Sequence, residues 1–229
     1  MSWRDIESRI QYGYYTEDAS ALRGLEDTLA ADESHEALHG YYTGLLAWRQ
    51  AQLAAANPAA AGQSPSPARL AARCVSDADA ALTVQADFAE ALALRGACLL
   101  GPVDGNGGPS AHAAHLARRD LARALQLARR NPRVLLVDAM IDYQSRREAG
   151  GNKERALLKL RQAAAAFERE RAEAEALPGW GAAEVYLLLA LDLLDHSEPV
   201  AARDALEHAL LIAPEFAQAR RLMAKFTGD

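Results

Sequence analysis

The segment GAAEVYLLLALDLL, residues 181–194, is followed after a short break by ARDALEHALLIAPEFAQA, residues 202–219. In both segments apolar residues recur at intervals of three and four, which is the period of a helix with one buried face. The break between them carries Ser197 and Pro199, residue types that interrupt helices. Ala190 is a small residue at a point where a neighbouring helix must approach closely. The two segments therefore predict a pair of antiparallel helices in contact.

The rest of the chain repeats this pattern with less regularity. Residues 87–100, DFAEALALRGACLL, place Ala-Glu, an apolar turn and then a small residue in the same order as the segment above. Between the Gly-rich and Pro-rich breaks the spacing is helical almost everywhere, and no convincing strand pattern is found. The sequence predicts an all-α protein of about ten or eleven antiparallel helices in one domain, residues 1–229. Residues 214–226 are predicted to form a capping helix over the last pair.

Eight residues of the last pair carry a resemblance to the tetratricopeptide repeat (TPR) family: Tyr186, Leu189, Ala190, Leu193, Ala202, Leu206, Ala209 and Pro214. In that family, pairs of helices spanning about 34 residues pack around small side chains and stack into a right-handed solenoid. The match is looser elsewhere, because the equivalent small residues Gly44, Gly96, Ala139 and Ala190 lie 52, 43 and 51 residues apart. The chain also resembles short bacterial TPR proteins, many of them exported.

The resemblance implies a function as well as a fold. TPR solenoids are non-catalytic interaction scaffolds, and their first helices line a concave groove that binds a peptide or a helix. Tyr41 and Trp48 are the aromatic anchors that this implies, although aromatic residues at helical spacing also pack internally, and this alternative stays open. A self-associating accessory or chaperone-like subunit is the alternative function. No enzymatic activity, cofactor or metal is expected. The full set of groove positions is Tyr41, Leu45, Trp48, Arg49, Leu136, Met140 and Tyr143.

Charge is distributed unevenly along the chain. The net charge of −6 argues against general nucleic-acid binding, because no overall positive field would attract phosphates. Residues 1–45 hold nine acidic against three basic residues, whereas residues 116–147 hold eight arginines against three aspartates. The two regions can attract different partners, including an acidic one, or each other in a homo-oligomer; otherwise they are solvated helix faces. The candidate basic patch is Arg118, Arg119, Arg123, Arg129, Arg130 and Arg133.

A His-Glu-x-x-His pattern, His35-Glu36-x-x-His39, raises the hypothesis of a zinc-dependent hydrolase. On a helix the two imidazoles would share a metal, and Glu36 would activate a bound water. A zinc peptidase also needs a third protein ligand, and no histidine follows at the short spacing that some families use. Two solvent-facing histidines are therefore the favoured interpretation, with incidental metal capture and catalysis as alternatives.

The two cysteines, Cys74 and Cys98, are expected on neighbouring helices. Antiparallel packing can bring the two thiols together. Free buried thiols in an Ala-rich core are the default interpretation, because helix adjacency does not guarantee the narrow Cα separation that a disulfide needs. A bridge is the alternative, and export of the protein would favour it.

Hydropathy predicts a soluble protein. The longest apolar runs, such as residues 185–191, are interrupted by charge well before the roughly 20 residues that cross a bilayer. The N-terminus, MSWRDIESRI, lacks the basic start and apolar block of a secretory signal. The compartment stays open: cytoplasmic as the sequence stands, or periplasmic if a signal peptide has been removed.

Overall fold

The computed structural model describes residues 1–31, 36–57, 65–101, 110–145, 147, 150–172 and 177–227. These residues form eleven helices and contain no strand, which confirms the all-α prediction. None of these helices combines the length and the apolar character of a membrane span. The helices are α1 Trp3–Tyr15, α2 Ala19–Ala30, α3 Ala37–Ala56, α4 Pro67–Val84, α5 Ala89–Leu100, α6 Ala111–Ala128, α7 Pro132–Gln144, α8 Lys153–Ala172, α9 Ala182–Asp195, α10 Pro199–Ile212 and α11 Ala217–Thr227.

The helices pack as consecutive pairs, as the sequence predicted. The largest contacts join α3 to α4, α5 to α6, α7 to α8 and α9 to α10, and smaller contacts join each pair to the next. The first helices α3, α5 and α7 also touch one another in chain order, which is the arrangement of a helical-repeat solenoid. The α1/α2 pair packs on α3 at the start of the series.

Small residues permit the closest approach between α3 and α4. A Cβ atom added at Gly40 would lie 2.8 Å from the Ala81 nitrogen and 2.8 Å from the Asp77 carbonyl oxygen. A Cβ atom at Gly44, one turn later, would lie 3.3 Å from the Cys74 carbonyl oxygen. Any larger side chain at Gly40 would have to push the two backbones apart, because interiors are close-packed.

The predicted C-terminal capping helix is present as α11. It packs on α10, and Phe216, immediately before it, is 1% exposed. The Phe216 ring lies 4.5 Å from the ring of Tyr15 and 5.9 Å from that of Tyr14, both in α1. The C-terminal end therefore contacts the first helix of the chain as well as the last pair.

Further contacts between the two ends of the chain close the interior of the solenoid. Glu7 in α1 accepts hydrogen bonds from the Gly179 backbone nitrogen at 2.9 Å, and burial raises the pKa of this carboxyl group. The guanidinium of Arg221 in α11 donates to both carboxylate oxygens of Glu17. Since α1 reaches both the segment before α9 and α11, the inner face formed by the first helices is covered from within the same chain.

Candidate binding site in the closed interior

A buried arginine occupies the centre of the closed interior. Arg49 in α3 is 1% exposed, and its guanidinium forms an ion pair with Glu184 of α9. It donates further hydrogen bonds to Gln11 Oε1, at 3.1 and 3.2 Å, and to Gln52 Oε1 at 3.1 Å. A charge this deeply buried needs a counter-charge and satisfied donors to be tolerated, and the sequence supplies both.

Aromatic rings enclose the same guanidinium. The Arg49 Cζ atom lies 4.1 Å from the ring centre of Tyr14, 4.6 Å from that of Trp48 and 5.1 Å from that of Trp180. These distances are within the range of cation–π attraction, which is strongest where water is excluded. Burial raises the pKa of Tyr14 to about 12, so its hydroxyl stays protonated at neutral pH. We call Arg49, Glu184, Gln11, Tyr14, Tyr15, Trp48 and Trp180 the arginine cluster.

Glu184 is held by two more residues of α1. Tyr15 donates its hydroxyl to Glu184 Oε2 at 2.7 Å, and Gln11 donates its amide to Oε1 at 2.9 Å. Burial raises the pKa of Tyr15 well above its ordinary value of 10. The carboxylate of Glu184 thus joins α9 to α1 and α3, and this contact closes the interior.

Most of the predicted groove residues are buried in the core and do not line an open groove. Six of the seven are buried, and Tyr143 is half-buried, with its hydroxyl 3.1 Å from Asp195 Oδ2. The hydroxyl of Tyr41 accepts a hydrogen bond from the Trp180 indole nitrogen at 2.6 Å. This corrects the interpretation of Tyr41 and Trp48 as exposed anchors and supports the alternative that they pack internally. The buried six are Tyr41, Leu45, Trp48, Arg49, Leu136 and Met140.

Two of these buried residues still reach a cavity at one end of the interior. This end cavity has a volume of about 280 Å³ and includes Trp48 and Met140 in its wall. Residues from α1, α3, α7 and the α11 region meet there, together with Gly101 after α5. The full lining is Tyr14, Glu17, Trp48, Gln52, Leu53, Ala55, Ala56, Gly101, Met140, Gln144, Phe216, Gln218 and Arg221.

The predicted basic patch divides into an exposed part and a buried part. Arg119, Arg123, Arg129 and Arg130 are exposed on α6 and at its end. Arg133 is 1% exposed, and it donates two hydrogen bonds of 2.7 Å to the carboxylate oxygens of Glu170 in α8. Arg133 is therefore corrected to an interior ion-pair residue. Arg118 is half-buried.

The described part of the His-Glu-x-x-His motif, residues 36–39, begins before the first turn of α3. His35 lies outside the described residues, and α3 begins only at Ala37, so Glu36 is its non-helical N-cap residue. The Glu36 carboxylate accepts a hydrogen bond from the Trp3 indole nitrogen at 3.1 Å, and His39 Nε2 lies 3.0 Å from the Leu29 carbonyl oxygen. Within the described ranges no group of three or more His, Cys, Asp or Glu residues is placed to hold a metal.

The two cysteines form a disulfide in this structure, so the default interpretation as free thiols is corrected. Cys74 in α4 and Cys98 in α5 are both buried, and their Cα atoms are 6.0 Å apart. This separation lies in the range that a disulfide requires. The bridge joins two consecutive helix pairs.

Sequence reasoning missed the partners of Arg49. Glu184 follows Arg49 by 135 residues, and Gln11 precedes it by 38. Nothing in the local spacing around Arg49 indicates either partner.

Sequence reasoning also missed Asp192, which is fully buried. Neither of its carboxylate oxygens has a hydrogen-bond partner among the described residues. Burial raises the pKa of Asp192 to about 6.

The fold defines the class of this protein: an all-helical protein of paired helices, consistent with a helical-repeat solenoid whose interior is closed. No protein-family model matches the chain, and no curated protein matches it. The resemblance to TPR proteins therefore stays a prediction.

Proposed function

We propose that this protein is a non-catalytic interaction scaffold of the TPR type and that it binds an acidic protein segment on the exposed side of α6. The closed interior leaves little room for a peptide along the first helices, so the outer surface is the better candidate. The observation that carries this proposal is the group of exposed arginines on α6 and in the turn that follows it, in a chain whose net charge is −6.

Two of the exposed arginines share one side of the helix, and two follow its end. Arg119 and Arg123 are four residues apart in α6, which places them about 40° apart around the helix axis, and Arg129 and Arg130 are exposed in the turn directly after α6. The Nη2 atom of Arg119 lies 3.7 Å from Oδ1 of Asp120. By contrast, Arg123, Arg129 and Arg130 make no ion pair with any described residue. Several unpaired cations raise the rate and specificity with which an acidic partner associates.

Charge reversal on α6 tests this proposal. The variant Arg123→Glu/Arg130→Glu is compared with Arg169→Glu/Arg220→Glu, which makes the same charge change at two other exposed arginines. Binding of a fluorescent acidic amphipathic peptide is measured by anisotropy at two salt concentrations. The α6 variant is expected to weaken binding at least about tenfold, because two attractions become two repulsions. Equal losses in both variants would show only an effect of net charge and would contradict the proposal.

Self-association is the second candidate, and a surface groove between α1 and α2 favours it. Its lining is mainly apolar, its volume is about 590 Å³, and Tyr12 at its edge is 60% exposed. Gly24 in the same groove has no neighbouring atom within 4 Å of an added Cβ, so another helix could approach there. Sedimentation velocity over a concentration series tests this candidate. A dimer that Tyr12→Ser abolishes would support it, and a monomer at all concentrations would exclude it.

A further inference from the structure

We propose that the end cavity binds a protonated amine or a guanidinium group. This inference goes beyond the α6 interaction and does not depend on it, because the cavity lies at the end of the interior and contains no α6 residue. Three observations indicate a cation: the aromatic wall, the helix ends that meet at the rim, and the balance of the charged side chains.

One part of the wall of the end cavity is aromatic. Tyr14, Trp48 and Phe216 all line it, and the ring centres of Tyr14 and Phe216 are 5.9 Å apart. Two of these rings already lie beside a guanidinium, that of Arg49, at 4.1 and 4.6 Å. Aromatic walls attract organic cations through their quadrupoles, and the attraction increases where the site is partly desolvated.

The C-terminal ends of four helices meet at the rim of the cavity. Ala55 and Ala56 are the last residues of α3, and Gln144 is the last residue of α7. Gly101 follows the end of α5, and Glu17 follows the end of α1. Backbone carbonyls at a helix C-terminus lack helical partners and carry partial negative charge. None of these four described last turns contains a basic residue that would neutralise this charge.

Among the residues that the structure describes, the charged side chains around the cavity form balanced pairs and do not compensate this negative potential. Arg49 is paired with Glu184, and Arg221 is paired with Glu17, so each guanidinium already has a carboxylate. An anion entering the cavity would meet carbonyl oxygens and an arginine that Glu17 already engages through both oxygens. A cation would instead be accepted by carbonyl oxygens and by side-chain amide oxygens of the lining glutamines.

The volume sets the size of the ligand. A cavity of about 280 Å³ lies at the lower limit of small-molecule sites. It matches an alkylammonium ion or the end of a lysine or arginine side chain. The same chemistry can come from a free small cation or from a basic side chain of a partner, and the experiment has separate arms for the two sources.

The first arm uses free cations. Methylguanidinium chloride and n-butylammonium chloride are titrated into the isotopically labelled protein at constant ionic strength and followed by two-dimensional NMR. The matched neutral probes are methylurea and n-butanol. We expect saturable shifts at residues around the cavity with the cations, and at least about tenfold weaker binding of the neutral probes. Equal binding of charged and neutral probes would overturn the proposal.

Two matched variants assign the site. Gln144→Lys places an ammonium group at the rim of the cavity, and Gln126→Lys adds the same charge on the exposed surface of α6. Gln144 is the last residue of its helix, where a lysine is favourable, so the fold should be retained. We expect Gln144→Lys to weaken cation binding at least tenfold and Gln126→Lys to change it less than twofold. Binding that survives Gln144→Lys would overturn the assignment.

The second arm uses a short peptide with one central arginine and its counterpart with norleucine at that position. Tighter binding of the arginine peptide than of methylguanidinium supports the cavity site and identifies a partner side chain as the source. Binding of methylguanidinium alone supports the site and identifies a free cation. Saturable binding in neither arm would refute the proposal. The α6 charge-reversal result is independent of both arms, so failure of one proposal leaves the other distinguishable.

Discussion

The contacts of the arginine cluster predict that the variant Glu184→Gln is less stable than the wild type. Glutamine has nearly the same size as glutamate and keeps one acceptor oxygen, so the packing should change little. The substitution removes the counter-charge of Arg49, whose side chain is 1% exposed. Tyr15 and Gln11 would still meet a polar group, but the guanidinium would stay buried with no carboxylate beside it.

The expected loss of stability is large for a substitution so close in shape. Removing one partner of a buried ion pair costs about 3–5 kcal/mol, because the remaining charge is not solvated. The acceptor retained by glutamine and the rings around the guanidinium recover part of this cost, so the lower end of the range is expected. For a chain of this size the corresponding fall in melting temperature is roughly 6–12 °C.

Thermal unfolding followed by circular dichroism measures this fall. The control is Glu207→Gln, because the Arg203–Glu207 pair is exposed, with side-chain exposures of 61% and 49%. An exposed pair of this kind contributes about 0–1 kcal/mol, so the control should melt within a few degrees of the wild type. If Glu184→Gln melts together with Glu207→Gln, the buried pair does not hold the interior closed and the reasoning is wrong.

The double variant Arg49→Met/Glu184→Gln separates charge from packing. Methionine fills a similar space between the rings without a charge, so the double variant should be more stable than Glu184→Gln alone. Such a gain in stability would show that Glu184→Gln destabilises the protein by leaving the charge of Arg49 buried without a counter-charge. A double variant whose loss equals the sum of the two single losses would show that the two side chains act independently.

Three further predictions concern other buried groups. Burial raises the pKa of Asp192 to about 6, above its unfolded value near 3.8, so the folded state binds a proton at this carboxyl group more tightly than the unfolded state does. The free energy of unfolding that Asp192 contributes should therefore increase as the pH falls from about 7 to 4. Asp192→Asn should remove that component from urea denaturation curves and stabilise the protein at pH 7. The bridge between Cys74 and Cys98 closes a loop with a sequence separation of 24, so Cys74→Ser/Cys98→Ser should cost about 2–4 kcal/mol, and a thiol assay on unfolded, unreduced protein should find no free thiol. Trp48→Ala should cost about 3–5 kcal/mol in urea denaturation, because its ring is 4% exposed and lies 5.3 Å from that of Trp180.

For each of these three predictions, one outcome would contradict the reasoning. An unchanged pH profile in Asp192→Asn would mean that this carboxylate is solvated in the native state. Two reactive thiols in the unreduced protein would restore the interpretation of free buried cysteines. A Trp48→Ala variant as stable as Tyr12→Ala, whose ring is exposed in the wild type, would restore the open groove.

The sequence was sufficient for the helices and their pairing because both depend on short-range patterns. Ala190 and Leu193 recur at helical spacing and are buried, as the period requires. Gly44 marks a close helix contact, because a Cβ atom there would lie only 3.3 Å from the Cys74 carbonyl oxygen. Phe216 and Ala219, three residues apart in the predicted capping segment, are likewise both buried. These inferences need no knowledge of residues far along the chain.

The tertiary structure alone decided which faces remain accessible. The resemblance to TPR proteins implied that Tyr41, Trp48 and Arg49 lie on the inner side of α3, but it carried no information about what lies opposite that side. The opposing groups, Glu184 and Trp180, come from the other end of the chain. An open solenoid and a closed one share the same local helical periods, because the period records only that a face is apolar. Whether that face receives a partner or another helix of the same chain depends on the small rotation between successive pairs, which accumulates over the whole series.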